Sequence, residues 1–150
     1  MIRAAAMTAC LLAASGAAAQ PLAQAELDCL SALVYKEARG EPRDGQIGVV
    51  NVALNRARKR RMGVCQVIAQ PGQFSWYRHD ASIRTAAALA ARTSGIRSVV
   101  LDAIDAFSNG EDITNGAMFF HSTRLKYSKR YVVTTVIGNH RFLKVRDEQA

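Results

Sequence analysis

Nothing in this chain of 150 residues is long and apolar enough to cross a membrane. The one apolar run, Ala4 to Ala14, falls well short of the about 20 residues that a spanning helix needs. An early arginine precedes it, and small residues follow at Ala17, Ala18 and Ala19. That is the layout of a secretory signal over residues 1–19, cleaved after Ala19. Repeats, long linkers and low-complexity tracts are absent from the remainder. Their absence excludes a repeat array and leaves one compact domain over residues 20–150.

Cysteine is scarce too. Cys10 lies inside the apolar run with no lipoprotein-type cleavage motif around it, so only Cys29 and Cys65 remain in the exported part. An exported protein meets an oxidising compartment, where such a pair is expected as a disulfide. Acids are in short supply, 12 against 20 basic residues, and 12 against 19 once Arg3 leaves with the signal. A basic exported protein implies an acidic partner outside the cytosol: peptidoglycan, anionic lipid head groups or extracellular nucleic acid. Metal-ligand spacing is missing as well. His79, His121 and His140 form neither HExxH nor any other tight pattern, so no metal and no cofactor is expected.

What is present is helical periodicity followed by a change of texture. Leu27, Leu30, Leu33 and Val34 recur at helical spacing and predict a helix from Ala23 to Arg39, stopped by Gly40. Asp44 is placed to cap a second helix, Gly45 to Arg61, whose stripe of Ile47, Val50 and Leu54 is widened by Val49, Val52 and Ala53. It reads as the most buried helix. A short turn is expected over Cys65 to Ala69, then a break at Pro71-Gly72. Further helices are expected over Ser82 to Arg92 and Ser98 to Phe107. Beyond them, Met118-Phe119-Phe120 and Tyr131-Val132-Val133 are aromatic or β-branched, and Gly138-Asn139 is a two-residue hairpin signal. The fold class is α+β, mostly helical with a small C-terminal antiparallel sheet.

One acid interrupts this pattern. At 100° per residue, Glu37 points between Leu33 and Val34, into the apolar stripe, whereas Lys36 and Arg39 point away. An unpaired carboxylate there is costly. Two readings stay open: a structural ion pair with a buried arginine, or a general acid set in the wall of a cleft. The helix stops just after Glu37, where a cleft can open. Glu41 and Asp44 follow in the turn, where capping is their expected role. "GQFSWYR" supplies Phe74 and Trp76, which could stack on sugar rings or simply pack in the core. The run "NRARKRRMG" is either a solvated helix end or a phosphate-binding patch.

Four stretches in order carry a resemblance: "CLSALVYKEARGEPRDGQIGVVNVALNR", "VCQVIAQPGQFSW", "GAMFFHS" and "IGNHRFL". They cover nearly all of the chain after the signal, and together resemble the cell-wall hydrolase family that includes the spore cortex-lytic enzymes. The resemblance implies a lysozyme-like domain that cleaves peptidoglycan glycan strands between N-acetylmuramic acid and N-acetylglucosamine. It also implies Glu37 as the catalytic acid, working alone in a lytic transglycosylase. Glycan contacts are expected from Glu41 and Gln46, from Gln73, Phe74, Ser75 and Trp76, and from His121, Tyr131 and His140. Family members often carry a Pro and a Trp between the "FFH" and "IGNH" segments. This chain has "RLKYSKRY" there, with Tyr127 or Tyr131 as the candidate replacement.

The expectation is therefore an exported, monomeric peptidoglycan-cleaving enzyme, periplasmic or secreted. No nucleic acid partner and no membrane insertion after signal cleavage are expected. The alternatives are a zinc-dependent wall amidase and a basic wall- or nucleic-acid-binding module without chemistry.

Overall fold

The computed structural model describes residues 22–79 and 81–146. The expected signal segment, residues 1–19, lies outside the described residues, as does the side chain of His79. Helices α1 (Gln24–Ala38), α2 (Arg43–Arg60), α3 (Val64–Ile68), α4 (Ser75–His79), α5 (Ala81–Thr93) and α6 (Ile96–Ser108) precede strands β1 (Phe119–Ser122), β2 (Tyr131–Ile137) and β3 (His140–Val145). The sheet is antiparallel in the order β1-β3-β2. No helix among the described residues is long and apolar enough to cross a membrane.

The apolar stripe of α1 does what its spacing predicts. Leu30, Leu33 and Val34 are fully buried against Val49, Val50 and Ala53 of α2 and Val100 and Ala103 of α6. Asp28, on the other side of α1, receives ion pairs from Arg92 at 2.9 Å and Arg97 at 3.0 Å, tying α1 to α5 and α6. Cys29 and Cys65 are joined, with Cα atoms 5.5 Å apart, and link α1 to α3. A disulfide sulfur has no proton to give, so the Tyr77 hydroxyl is the donor in its 3.2 Å contact with Cys29 Sγ.

Helix α2 is buried on two sides. Val50 faces the helical core, while Val52 joins Ala117 and the fully buried Phe142 of β3 in a second cluster under the sheet. Gly48 permits this approach, because a Cβ there would collide with the Phe142 ring. The helix begins two residues earlier than its sequence signals suggest. Pro42 occupies the N-cap position and makes no side-chain cap, so Asp44 lies inside the first turn and does not cap it.

Three buried polar residues of α2 then hold the segment that leads into β1. Asn51 Oδ1 accepts from the Ile113 amide at 3.2 Å. Asn55 Nδ2 donates to Asp112 at 2.7 Å and to the Ala117 carbonyl at 3.1 Å. Arg56 Nε donates to the Met118 carbonyl at 2.6 Å. Asp112 also accepts from the amides of Thr114 and Gly116, both at 2.8 Å, and from the Thr114 hydroxyl at 2.6 Å. Arg58 joins this group by donating to Asn55 Oδ1 at 3.0 Å and lies over the Phe107 ring. The basic run at the end of α2 is thus only partly a solvated helix end.

Burial pushes the Asp112 carboxyl up, but the bonds from Thr114, Asn55 and Gly116 outweigh it and hold the group below its ordinary 3.8. A depressed carboxyl contributes stability that is complete above its unfolded-state value and is lost as pH falls through the folded one. Acid melts of the wild type should therefore weaken below about pH 4. Asp112→Ala should cost roughly 2 kcal/mol at neutral pH, from the donors left without an acceptor. It should also flatten the acid limb. Equal acid slopes in the two proteins would contradict this role.

Candidate active site

Glu37 stands near the C-terminal end of α1, half-buried, at the wall of a cleft of about 670 Å³. The cleft is a junction of three parts of the chain. α1 gives Glu37 and α2 gives Arg56. The loop into α4 gives Gln73, Phe74, Ser75 and Trp76. The sheet gives Phe119, Phe120, His121, Tyr131 and His140. Glu37 is the one carboxylate among the described residues that line it.

The indole Nε1–H of Trp76 donates to Glu37 Oε1 at 2.7 Å. One bond thus fixes the carboxyl and sets the ring, with Lys36 Nζ 5.9 Å from its centroid. Phe74 lies 6.3 Å from Trp76 and 6.1 Å from Phe120, centroid to centroid, so the floor is a row of rings. Among the described residues Glu37 forms no salt bridge. Arg56, the buried arginine beside it in the cleft, spends its Nε on the Met118 carbonyl.

Two imidazoles complete the sheet side. His121 Nδ1 lies 2.9 Å from the Ser122 carbonyl, which can only accept, so Nδ1 carries the proton. Its Nε2 is buried and has no partner among the described residues. His140 is buried, and its Nδ1 likewise has no partner among the described residues. Burial pushes the His140 imidazolium below its usual range. The charges of Glu41 and Glu37 oppose that shift, and His121 adds to it. His140 is therefore neutral at pH 7, with ring nitrogens suited to hydrogen bonding to a polar neutral ligand.

Two expected glycan contacts lie elsewhere. Glu41 is not among the cleft residues. Its oxygens accept from the Asn139 backbone amide at 2.8 Å and side-chain amide at 3.2 Å. A Cβ at Gly138 would collide with that carboxylate, so the left-handed glycine and Glu41 together seat the β2–β3 turn on the α1–α2 turn. Gln46 donates to the Glu41 carbonyl at 3.2 Å and serves the same junction. Tyr131 does line the cleft. Tyr127, the other candidate aromatic, lies outside it, 5.9 Å from the His121 ring. Arg56, Phe119 and Phe120 are cleft residues that the sequence reading does not single out.

A second groove of about 410 Å³ runs between α1 and α5, lined by Ala32, Tyr77 and Leu89 among others. Its acid, Asp28, is occupied by Arg92 and Arg97, so the groove holds no group positioned for acid–base work. Among the described residues, no three of His, Cys, Asp and Glu converge in a way that could hold a metal ion.

A family model described as cell wall hydrolase matches residues 40–143. The chain belongs to the cell wall hydrolase family. The catalytic domain of the SleB protein of Bacillus cereus is 26% identical to this cell wall hydrolase. That match has a TM-score of 0.59 and covers 84% of this chain and 94% of that one. The catalytic domain of the germination-specific lytic transglycosylase SleB of Bacillus anthracis is 28% identical. Its TM-score is 0.61, with 85% of this chain and all of that one covered. No curated protein matches. The lysozyme-like α+β architecture expected for this cell wall hydrolase is the one these structures share with it.

Proposed function

We propose that this cell wall hydrolase is a peptidoglycan lytic transglycosylase in which Glu37 is the sole acid–base group. The observation that carries the reading is that Glu37 is the single carboxylate among the described residues of a cleft that is rich in aromatic rings and also holds two imidazoles and an arginine. Two-carboxylate hydrolysis needs a partner acid across the scissile bond to activate water or attack C1. Intramolecular attack needs none. Protonated Glu37 gives its proton to the glycosidic oxygen between N-acetylmuramic acid and N-acetylglucosamine as the C1–O bond breaks. The resulting carboxylate then takes the proton of the C6 hydroxyl as that oxygen bonds to C1. The product is a 1,6-anhydromuramoyl end, and Glu37 is again protonated. Trp76 occupies Oε1, which leaves Oε2 for both transfers. Phe74, Trp76 and Tyr131 offer faces for sugar rings, and His121 and His140 offer hydrogen bonds to hydroxyl or acetamido groups.

The SleB likeness supports the reading, since the Bacillus anthracis protein is described as a lytic transglycosylase. The family match starts at residue 40, so the role of Glu37 rests on the cleft geometry and the motif around it. The basic balance and the disulfide fit an enzyme that works at the wall, in the periplasm or secreted, as a monomer with peptidoglycan as its partner and no nucleic acid. Mass spectrometry of muropeptides released from purified walls tests the reaction. Anhydromuramoyl ends are expected. Reducing ends would mean hydrolysis, and freed stem peptides would mean an amidase.

A further inference from the structure

Among the described cleft residues, Arg56 is the one cation, and the proposed reaction leaves its chemistry unused. It is only 5% exposed and has no carboxylate partner among the described residues. Nε is held by the Met118 carbonyl, and the guanidinium lies 5.3 Å from the Phe119 ring centroid and 5.8 Å from that of Phe74. Burial and, second to it, the repulsion of Arg60 lower its pKa to about 10, so it is cationic at neutral pH. A buried unpaired cation is costly to keep. Here the cost is offset in part by one carbonyl and two ring faces. The Nη groups form no bond to protein among the described residues, and the residue lines the cleft. A guanidinium held by Nε and its faces presents its outer nitrogens as a two-pronged donor that fits a carboxylate.

We propose that Arg56 receives a carboxylate carried by the muramoyl residue of the substrate, and so selects the strands that this enzyme cleaves. The proposal rests on the peptidoglycan reading above. Two sources share the chemistry. One is the lactyl carboxylate of a muramoyl residue from which the stem peptide has been removed. The other is a free carboxylate within an attached stem peptide. The first sits on the sugar ring itself, within a sugar's width of the scissile bond. In that case an amide-cleaving reaction that strips stem peptides must supply the substrate.

The test compares glycan strands of four kinds: peptide-bearing, peptide-free, and each of these with its carboxylates converted to methylamides. Release of anhydromuramoyl ends is the readout, by wild type, Arg56→Lys and Arg56→Gln. Wild type should lose roughly tenfold to hundredfold in kcat/KM when the carboxylate is masked, chiefly through KM. Arg56→Gln should be equally slow on masked and unmasked strands, and Arg56→Lys should recover part of the preference. A wild type that prefers peptide-free strands identifies the lactyl source. Preference for peptide-bearing strands, lost on masking, identifies the stem source. If wild type cleaves masked and unmasked strands alike, the proposal falls whether or not the variants fold. It also falls if Arg56→Gln slows both by the same factor, because Arg56 then acts only by gripping Met118. Anhydro ends from no substrate would overturn the transglycosylase reading itself.

Discussion

Glu37→Gln should lower wall lysis by about 10²–10⁴-fold, the range for a lost general acid–base group, and leave the melting temperature nearly unchanged. The argument is geometric. The glutamine oxygen can accept the Trp76 indole N–H as Oε1 does now at 2.7 Å, so the ring and the helix end stay in place. What disappears is a proton that can be given to a leaving oxygen and taken back. A structural role predicts the opposite pattern, in which the variant is destabilised and still lytic. Turbidity of purified walls and thermal melts of the same preparation decide between the two. An active, destabilised glutamine variant would remove Glu37 from the reaction.

The second large effect belongs to the cross-link. A double variant, Cys29→Ser with Cys65→Ser, should lose about 4 kcal/mol of stability on the chain-entropy model for a closed loop of this length. In a domain this size that is a fall of roughly 10–20 °C in melting temperature. The bond closes 36 residues, a stretch that includes Glu37 and all of α2, so its loss frees the part of the unfolded chain that carries the acid. Melts with and without reductant check this on the wild-type protein. Curves that coincide would mean that the two thiols are not joined in the protein.

The longer helices are legible because each carries an apolar stripe at helical spacing. Leu30, Leu33 and Val34 reveal α1 in this way, and Gly138-Asn139 marks the β2–β3 turn by its backbone demands. Helix α4 was not legible. Five residues are too few to display a period, and its N-terminus falls inside "QFSW", which reads as loop. Within the site, Glu37, Trp76 and the ring-rich segments could be found from local pattern. Glu41 could not be placed that way. Its carboxylate is claimed by a turn 98 residues further on, and no local reading contains that partner. In the sequence, Arg56 reads as one of the cations at the end of α2. It lies four residues after Val52, on the same helical face, and Val52 packs under the sheet. A helix buried on two sides hides its second face from a search for one stripe.

The order of the sheet has a consequence for when the enzyme becomes active. β3 follows β2 and β1 in the chain, yet lies between them and is the strand with which each of them pairs. A chain emerging from its N-terminus presents Glu37 early, on a helix that can already pack. The opposite wall, with Tyr131, His121 and His140, has nothing to assemble on until residues 140–145 have arrived. During synthesis the acid is therefore present without its cleft. Competence is acquired in one late step, after nearly all of the chain has been delivered.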